Sequence, residues 1–479
     1  MSDGGKAPPE KLLQAIWQQQ RLSRDRLTTL DGRRLRVLHP GFISREGGPD
    51  FRKAVLQWQD EPPVFGDVEI DLQAAGWRAH GHDQNPAFEN VRLQVVWEPP
   101  GKISTTLPIL SLADVLDCPL AELAATLDMR VGLPEVFQGQ CSAPLRGLSQ
   151  EQISALLEAA SLTRFQNRAQ AILARSRQAG WETAFWEFLF RALGYKHNAW
   201  PMQRLAETRP AWDHNLSAVW KYQARLLGLS GLLPPELTQN RPTSNLYVRK
   251  TWDAWWRERD AHANHQLPRS IWHLQGLRPA NHPQRRLALA AHWLANPNLI
   301  ARIENWATSS IAQNPWDSPS AAHTQHAQHP LKLMEILQVI EDEFWSWHWT
   351  FKSPRLEIPQ PLLGEARLTD LAINVILPWL WVRAREGGNA PLMREMEARY
   401  RTWPASEDNA RLKMARQRLL GSRPPTRLRH AFEQQGLLQI MSDFCDQSNS
   451  LCDHCIFPEM IRGLRVPSLD QPVKDNPDP

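Results

Sequence analysis

Cysteine is scarce in this chain, with five residues in 479. So low a content excludes a disulfide scaffold, and in a reducing compartment it favours metal binding wherever cysteines cluster. Long apolar runs are also missing: the longest, LAINVILPWLWV at 371–382, is shorter than the roughly 20 residues that a membrane helix needs. The N-terminus has no apolar signal segment. We therefore expect a cytoplasmic protein that does not enter a membrane.

An excess of either charge sign is missing as well. The chain has 55 Lys and Arg residues against 51 Asp and Glu residues, which gives a formal net charge of +4. This balance does not by itself indicate a nucleic-acid partner, so such a partner has to be argued from a local group of residues. The length suffices for about three domains of roughly 150 residues.

The spacing of apolar residues differs between the N-terminal part of the sequence and the rest. PEKLLQAIWQQQ (9–20) has apolar residues at helical spacing, and short apolar runs separated by Gly, Pro, Asn and Asp then follow to about residue 120. From residue 148 onward the spacing is helical almost throughout. We predict an α+β protein with an N-terminal mixed sheet and a large all-α region. The expected divisions are an α/β module at 1–140, helical domains at 141–320 and 321–465, and a disordered tail at 466–479.

Three carboxylates are expected to meet on the N-terminal sheet. GPDFRKAVLQWQDEPPVFGDVEID (48–71) has Asp50 at a Gly-Pro corner and Glu69 and Asp71 on the next predicted strand. Glu69 and Asp71 would share a face of that strand, and an antiparallel hairpin would bring Asp50 beside them. Such crowding favours a hard divalent cation, Mg²⁺ or Mn²⁺, with Asp50 and Glu69 as ligands. The alternative is that Asp50 caps a turn while the other two lie on a solvated face.

Two histidines follow in GWRAHGHDQNPAFENV (76–91), where His80 and His82 flank a glycine. The HxH spacing is common among metal ligands. Because only two histidines are present, we favour a loop beside the carboxylates that hydrogen-bonds phosphate or substrate. A purely structural role is the alternative. Both histidines join the three carboxylates as predicted catalytic residues.

The order of the predicted elements is helix, strand, strand beginning at Pro-Asp, strand with Glu-x-Asp, and a later strand, NVRLQVVWE. This order resembles the PD-(D/E)XK nuclease core and implies a restriction-endonuclease-like module in which Asp50 and Glu69 hold the metal. Asp71 stands at a position that is usually Lys, and we expect it to be a further ligand or to orient water. The implied function is metal-dependent hydrolysis of DNA or RNA. The alternative is a non-catalytic scaffold that binds nucleic acid or protein.

Three cysteines cluster near the C-terminus. Cys445, Cys452 and Cys455 have the spacing C-x6-C-x2-C in LLQIMSDFCDQSNSLCDHCIFPEM. Thiolates suit zinc or an iron–sulfur cluster, and an x2 loop lets two of them reach one centre. The alternative is three reduced thiols that bind nothing.

A fourth ligand for this site has to come from elsewhere in the chain. Cys141 in FQGQCSAP is the first choice, and His454 or Cys118 are the next. The loop resembles the iron–sulfur loop that ends helix-hairpin-helix DNA glycosylases. Iron–sulfur nucleases of the PD-(D/E)XK type also combine an upstream cysteine with a C-terminal trio. These resemblances imply a 4Fe-4S cluster, with Zn²⁺ as the other choice.

Several motifs, read together, resemble one family. They are LHPG (38–41), GGPDF (47–51), GDVEI (66–70), HGH (80–82), LRPANHP (277–283), INVILPWL (373–380) and the Cys445 loop. In this order they are similar to the bacterial family called domain of unknown function 2851, from about residue 10 to residue 463. The resemblance implies kinship and supplies no activity. Where members usually have His, this chain has Asp71 and Gln94.

The same resemblance draws attention to the loop LRPANHPQRR. Arg278, Asn281, Arg285 and Arg286 lie there, before an apolar helix. Arginine forks and an Asn near a helix N-terminus suit phosphate, so we predict that these residues contact nucleic acid. The alternative is that they form a solvated surface.

Overall fold

The computed structural model of the protein describes most of the chain. The described residues are 8–44, 48–59, 61–99, 107–126, 139–195, 197–212, 216–234, 245–274, 277–309, 319–421, 428–445, 452 and 455–464. Residue His454 and the predicted tail at 466–479 lie outside these ranges.

A six-stranded sheet forms the N-terminal part of the protein, and its order is β1-β3-β4-β5-β6 with β2 beside β3. Its strands are β1 (Leu35–His39), β2 (Phe42–Ile43), β3 (Phe51–Trp58), β4 (Val64–Gln73), β5 (Val91–Glu98) and β6 (Ile109–Ser111). Strand β3 is antiparallel to β1, β2 and β4, whereas β4, β5 and β6 are parallel to one another. The predicted mixed sheet is therefore confirmed.

Helices make up most of the rest, which confirms the predicted α+β class. They are α1 (Glu10–Gln19), α2 (Gly76–Ala79), α3 (Leu120–Thr126), α4 (Ser142–Arg146), α5 (Gln150–Ala179), α6 (Trp181–Leu193), α7 (Ala199–Glu207), α8 (Val219–Leu229), α9 (Asn245–Glu258), α10 (Pro283–Leu294), α11 (Leu299–Thr308), α12 (Pro319–Leu337), α13 (Glu365–Leu371), α14 (Leu377–Glu386), α15 (Ala390–Thr402), α16 (Ala410–Leu420), α17 (Ala431–Ile440) and α18 (Phe457–Gly463). Single π turns lie at Ala372–Ile376 and Met441–Cys445. None of the helices in the described ranges is both long and apolar enough to span a bilayer.

The chain divides into two compact units. The sheet unit comprises Met1–Leu156, Asp408–Arg427 and Leu437–Pro479, and the helical unit comprises Leu157–Glu407 and Leu428–Gly436. The C-terminal cysteine segment thus belongs to the same unit as the sheet.

One face of the sheet is covered by helix α1. The apolar stripe of α1, with Leu13 and Ile16, shares a buried core with Val68 and Ile70 of β4. Because side chains alternate along a strand, burying residues 68 and 70 on this face directs residues 67, 69 and 71 to the opposite face. The core thereby fixes the side of the sheet on which the carboxylates lie.

The helical unit is organised around large buried aromatic side chains, including Trp345, Trp379 and Trp403. Asp342 is also buried there. It accepts hydrogen bonds from the Nε2 atoms of Gln223 and His292, each at 2.7 Å, and from backbone N–H groups of the following turn. This network satisfies a carboxylate that would otherwise be costly to bury.

Candidate metal centre of the sheet unit

The β3–β4 hairpin brings Asp50 beside Glu69. The backbone N–H of Asp50 donates to Glu69 Oε2 at 3.0 Å, and Asp50 Oδ2 accepts from the backbone N–H of Ile70 at 3.1 Å. Its other oxygen, Oδ1, accepts from the Nε2 of Gln14 in α1 at 3.0 Å. Asp50 therefore orients Glu69 while both of its own carboxylate oxygens already accept hydrogen bonds.

Glu69 and Asp71 lie on the same side of β4 and are buried, with 7% and 5% of their surface exposed. Gln94 of the neighbouring strand β5 donates from Nε2 to Asp71 Oδ2 at 2.8 Å. The chain at Gly76 passes close to this carboxylate, because a Cβ added there would lie 2.6 Å from Asp71 Oδ1. Gly76 thus lets helix α2 approach Asp71 directly.

The histidines follow helix α2, on either side of Gly81. Gly81 has a φ of 70°, a left-handed conformation that glycine adopts without strain. His82 Nδ1 lies 3.5 Å from Glu69 Oε1, and its ring stacks on Phe88 with the centroids 3.9 Å apart. His80 Nδ1 lies 3.6 Å from Asp71 Oδ1, and 62% of the His80 side chain is exposed.

Glu69, Asp71 and His82 form the ligand group of this site. One ligand atom from each lies within 4.8 Å of those of the other two. Within the described part of the chain this is the one set of three His, Cys, Asp or Glu residues that meets this criterion, and Asp50 is not part of it. His82 Nδ1 is also buried without a hydrogen-bond partner, as expected of an atom available to a cation.

Burial governs the protonation of these groups. It raises the pKa of Glu69 to about 8, and the nearby charge of Asp50 adds to the effect. Burial likewise raises the pKa of Asp50 to about 6 and lowers the pKa of His82. A divalent cation would offset the mutual repulsion of the carboxylates and favour their ionised forms.

Asp67, on the same side of β4, is a residue that the sequence analysis missed. Its Oδ1 accepts from the backbone N–H of Lys53 at 2.9 Å, where the β3–β4 pairing shifts register between Phe51 and Ala54. Lys53 has a φ of 60°, which is rare for a residue with a side chain. Asp67 therefore stabilises a bulge that shapes the hairpin around Asp50. Its signal in the sequence was the alternation D-V-E-I-D.

A cavity of about 1010 Å³ adjoins the site, and His82 and Trp77 line it. Its charged lining residues are Arg33, Arg78 and Arg92 together with Glu61, Asp83 and Glu89. The cavity is thus large enough for a substrate of several rings and offers charges of both signs.

The predicted phosphate loop is largely built into the helical unit. Arg285 and Arg286 are 1% and 4% exposed. Arg285 donates to the backbone oxygens of Trp345, His348, Gln360 and Pro361, while Arg286 donates to Leu362 O at 2.9 Å and to Asn281 Oδ1 at 2.6 Å. These arginines bind main-chain carbonyls of the same unit, so they are not open to phosphate. Of the predicted four, Arg278 is the one that is exposed.

Four cysteines come together in the sheet unit: Cys141, Cys445, Cys452 and Cys455 (the cysteine group). Cys118 lies elsewhere, where its Sγ accepts from Arg21 at 3.4 Å.

A family model described as "Protein of unknown function (DUF2851)" matches residues 10–409. The chain belongs to this family. In this DUF2851 protein the matched range includes the carboxylates and histidines of the candidate metal centre. The C-terminal cysteines, from Cys445 onward, lie beyond it. No curated protein and no solved structure matches the chain significantly.

Proposed function

We propose that this DUF2851 protein is a divalent-metal-dependent nuclease that hydrolyses phosphodiester bonds in DNA or RNA. The observation that supports the proposal is the group Glu69, Asp71 and His82, whose ligand atoms lie within 4.8 Å of one another beside a large cavity. Two carboxylates and an imidazole suit Mn²⁺ and related divalent cations, and oxygen ligands suit Mg²⁺.

The residues around the group have separable roles in this proposal. Glu69, Asp71 and His82 would hold the cation, and a cation bound there would supply Lewis-acid chemistry for phosphodiester hydrolysis. Asp50 is a positioning residue, since its N–H fixes Glu69 Oε2 and leaves Oε1 towards His82. Gln94 fixes Asp71 in the same way. His80 is exposed beside Asp71 and is available to donate a hydrogen bond to substrate.

The order of the elements also supports the nuclease proposal. With the short strand β2 and helix α2 as additional elements, the chain runs from helix α1 through β1, β3, β4 and β5 in the order of the nuclease core that the sequence resembles. Asp50 immediately precedes β3, and β4 contains Glu69 and Asp71. Asp71 in place of the usual Lys supplies an oxygen ligand and removes a positive charge. The proposed chemistry therefore relies on the metal to stabilise phosphate.

The test compares Glu69→Gln with Glu98→Gln. Glu69 belongs to the ligand group, whereas Glu98 is exposed at the end of β5, where it accepts from Gln73 Nε2 at 2.9 Å. We expect Mn²⁺-dependent cleavage of labelled single- or double-stranded DNA or RNA, abolished by a chelator and lowered about 100-fold or more in Glu69→Gln. Glu98→Gln should retain activity. Titration of Mn²⁺ by EPR should show the same contrast in metal affinity.

Two results would refute the proposal. One is equal activity in the two variants, because the cation would then not depend on Glu69. The other is the absence of metal-dependent cleavage by the wild-type protein on all four substrates. If the inactive protein still bound nucleic acid with a steep salt dependence, the function would instead be that of a non-catalytic scaffold that binds nucleic acid.

A further inference from the structure

The cysteine group is assembled from distant parts of the sheet unit. Cys141 precedes helix α4, Cys445 ends a π turn, and the Cys455 N–H donates to Cys452 O at 3.2 Å. Four of the five cysteines in the chain thus meet in one place. Chance clustering of so rare a residue from three separate segments is a weak explanation, whereas a shared ligand is a direct one.

Gly139 allows the two sides of the group to approach. A Cβ added at Gly139 would lie 3.2 Å from Cys141 Sγ and 3.8 Å from Cys452 Sγ. The separation of these two sulfurs is therefore no greater than the sum of those distances. The same Cβ would lie 3.1 Å from the backbone oxygen of Arg418, which accepts the Gly139 N–H at 2.8 Å. Glycine fits here because a side chain would crowd both sulfur and backbone.

Arg418 provides a positive charge to the group. Its guanidinium Nη2 donates to Cys452 Sγ at 3.5 Å. A cation that hydrogen-bonds sulfur stabilises thiolates, which are the form that binds metal.

The spacing of the sulfurs discriminates between metals. In a zinc tetrahedron with Zn–S bonds of about 2.3 Å, every pair of sulfurs is about 3.8 Å apart. Among the residues that the structure describes, no three cysteine sulfurs lie within 4.8 Å of one another. Iron–sulfur clusters place several iron and sulfide atoms between their thiolates and so require wider spacing.

We propose that Cys141, Cys445, Cys452 and Cys455 ligate one [4Fe–4S] cluster, with Arg418 as a positioning residue that hydrogen-bonds a ligand sulfur. The cluster is independent of the carboxylate site, and either proposal can fail without the other. It ties the segment before α4 to the C-terminal segment of the same unit.

The first experiment uses the full-length protein purified without oxygen. We expect a broad absorption band near about 400 nm and about four iron and four sulfide per chain. Cys141→Ser should lose most of the band, whereas Cys118→Ser should retain it, because Cys118 lies beside Arg21 and outside the group. Colourless wild-type protein with one zinc per chain, or with no metal, would overturn the proposal.

Arg418→Gln supplies a second measurement that does not depend on cysteine variants folding. Loss of the positive charge and of the hydrogen bond to sulfur should shift the midpoint potential of the cluster to more negative values while iron content is retained. The potential is followed by visible absorption during reductive titration. An unchanged potential in an iron-replete variant would remove Arg418 from the proposal, and equal iron loss in the Cys118 and Cys141 variants would refute the ligand set.

Discussion

Acidification is expected to destabilise the sheet unit through His39. This side chain is completely buried. Its Nδ1 accepts from the Gly41 N–H at 3.0 Å, so the proton of the neutral ring is on Nε2, which lies 3.0 Å from Gln417 Oε1. A second proton would point at the Gly41 N–H. Burial lowers the pKa of His39 to about 4, and the nearby charge of Arg418 adds to the effect.

The size of the effect follows from the difference between the folded and unfolded pKa. The unfolded chain binds a proton at His39 near pH 6.5, well above the folded value. The neutral ring of His39 therefore makes its full contribution to stability above pH 6.5. The free energy of unfolding then falls as the pH decreases from 6.5 towards 4. Between pH 7 and pH 5 the loss amounts to about 2 kcal/mol.

Hydrogen exchange of β1 and β3 peptides across this pH range, corrected for intrinsic rates, reports the local opening free energy. The side chain in His39→Gln keeps a hydrogen-bond acceptor and a donor but cannot titrate. Between pH 7 and pH 5 the opening free energy of the wild type should therefore fall by about 2 kcal/mol more than that of this variant. His80→Gln is the matched control, because His80 is exposed in the same unit. The same pH response in wild type and His39→Gln would show that His39 is not responsible.

Two further predictions concern the helical unit and are measured by denaturant unfolding. Asp342→Ala leaves the buried Nε2 donor of Gln223 and the partly buried Nε2 of His292 without their acceptor, so we expect the free energy of unfolding to fall by about 3 kcal/mol. A variant as stable as wild type would contradict the network. Gly228→Ala would place a Cβ 2.0 Å from the indole ring of Trp255 and should lower the free energy of unfolding by about 2 kcal/mol or more. At Gly364 no atom lies within 4 Å of the added Cβ, so Gly364→Ala should change the stability little. Equal effects of the two glycine substitutions would refute the steric argument.

The sheet was predictable because its strands have a local signature. Strands β3, β4 and β5 lie where apolar residues alternate or run between Gly, Pro and Asn, and the antiparallel pairing of β3 with β4 follows from their short connection. The alternation along β4 also indicated that Glu69 and Asp71 share a face. The bulge at Lys53 was not predictable, since a positive φ in a strand depends on the acceptor that Asp67 provides from the partner strand.

The two buried arginines illustrate where local patterns fail. A charged residue after a proline-bounded loop is usually solvated, so Arg285 and Arg286 were expected at a surface that binds phosphate. In the structure, backbone carbonyls of residues 345–362 accept from both guanidinium groups. Such acceptors can be recognised only when segments some 60 to 75 positions apart in the sequence are seen together. The sequence pattern therefore drew attention to the two arginines but could not identify the carbonyl groups that they bind.

The connectivity of the sheet unit indicates how a cluster at the cysteine group would stabilise the fold. The main segment of the helical unit, Leu157–Glu407, is inserted in the chain between two segments of the sheet unit, so the sheet unit must close a very long loop on itself. Loop closure costs conformational entropy that grows slowly with length, and it has to be offset by contacts between the returning segment and the N-terminal part. The Gly139–Arg418 backbone hydrogen bond is one such contact. Ligation of Cys141 and Cys452 by one cluster would be a far stronger one, because it joins sheet-unit segments that precede and follow the loop through metal–sulfur bonds.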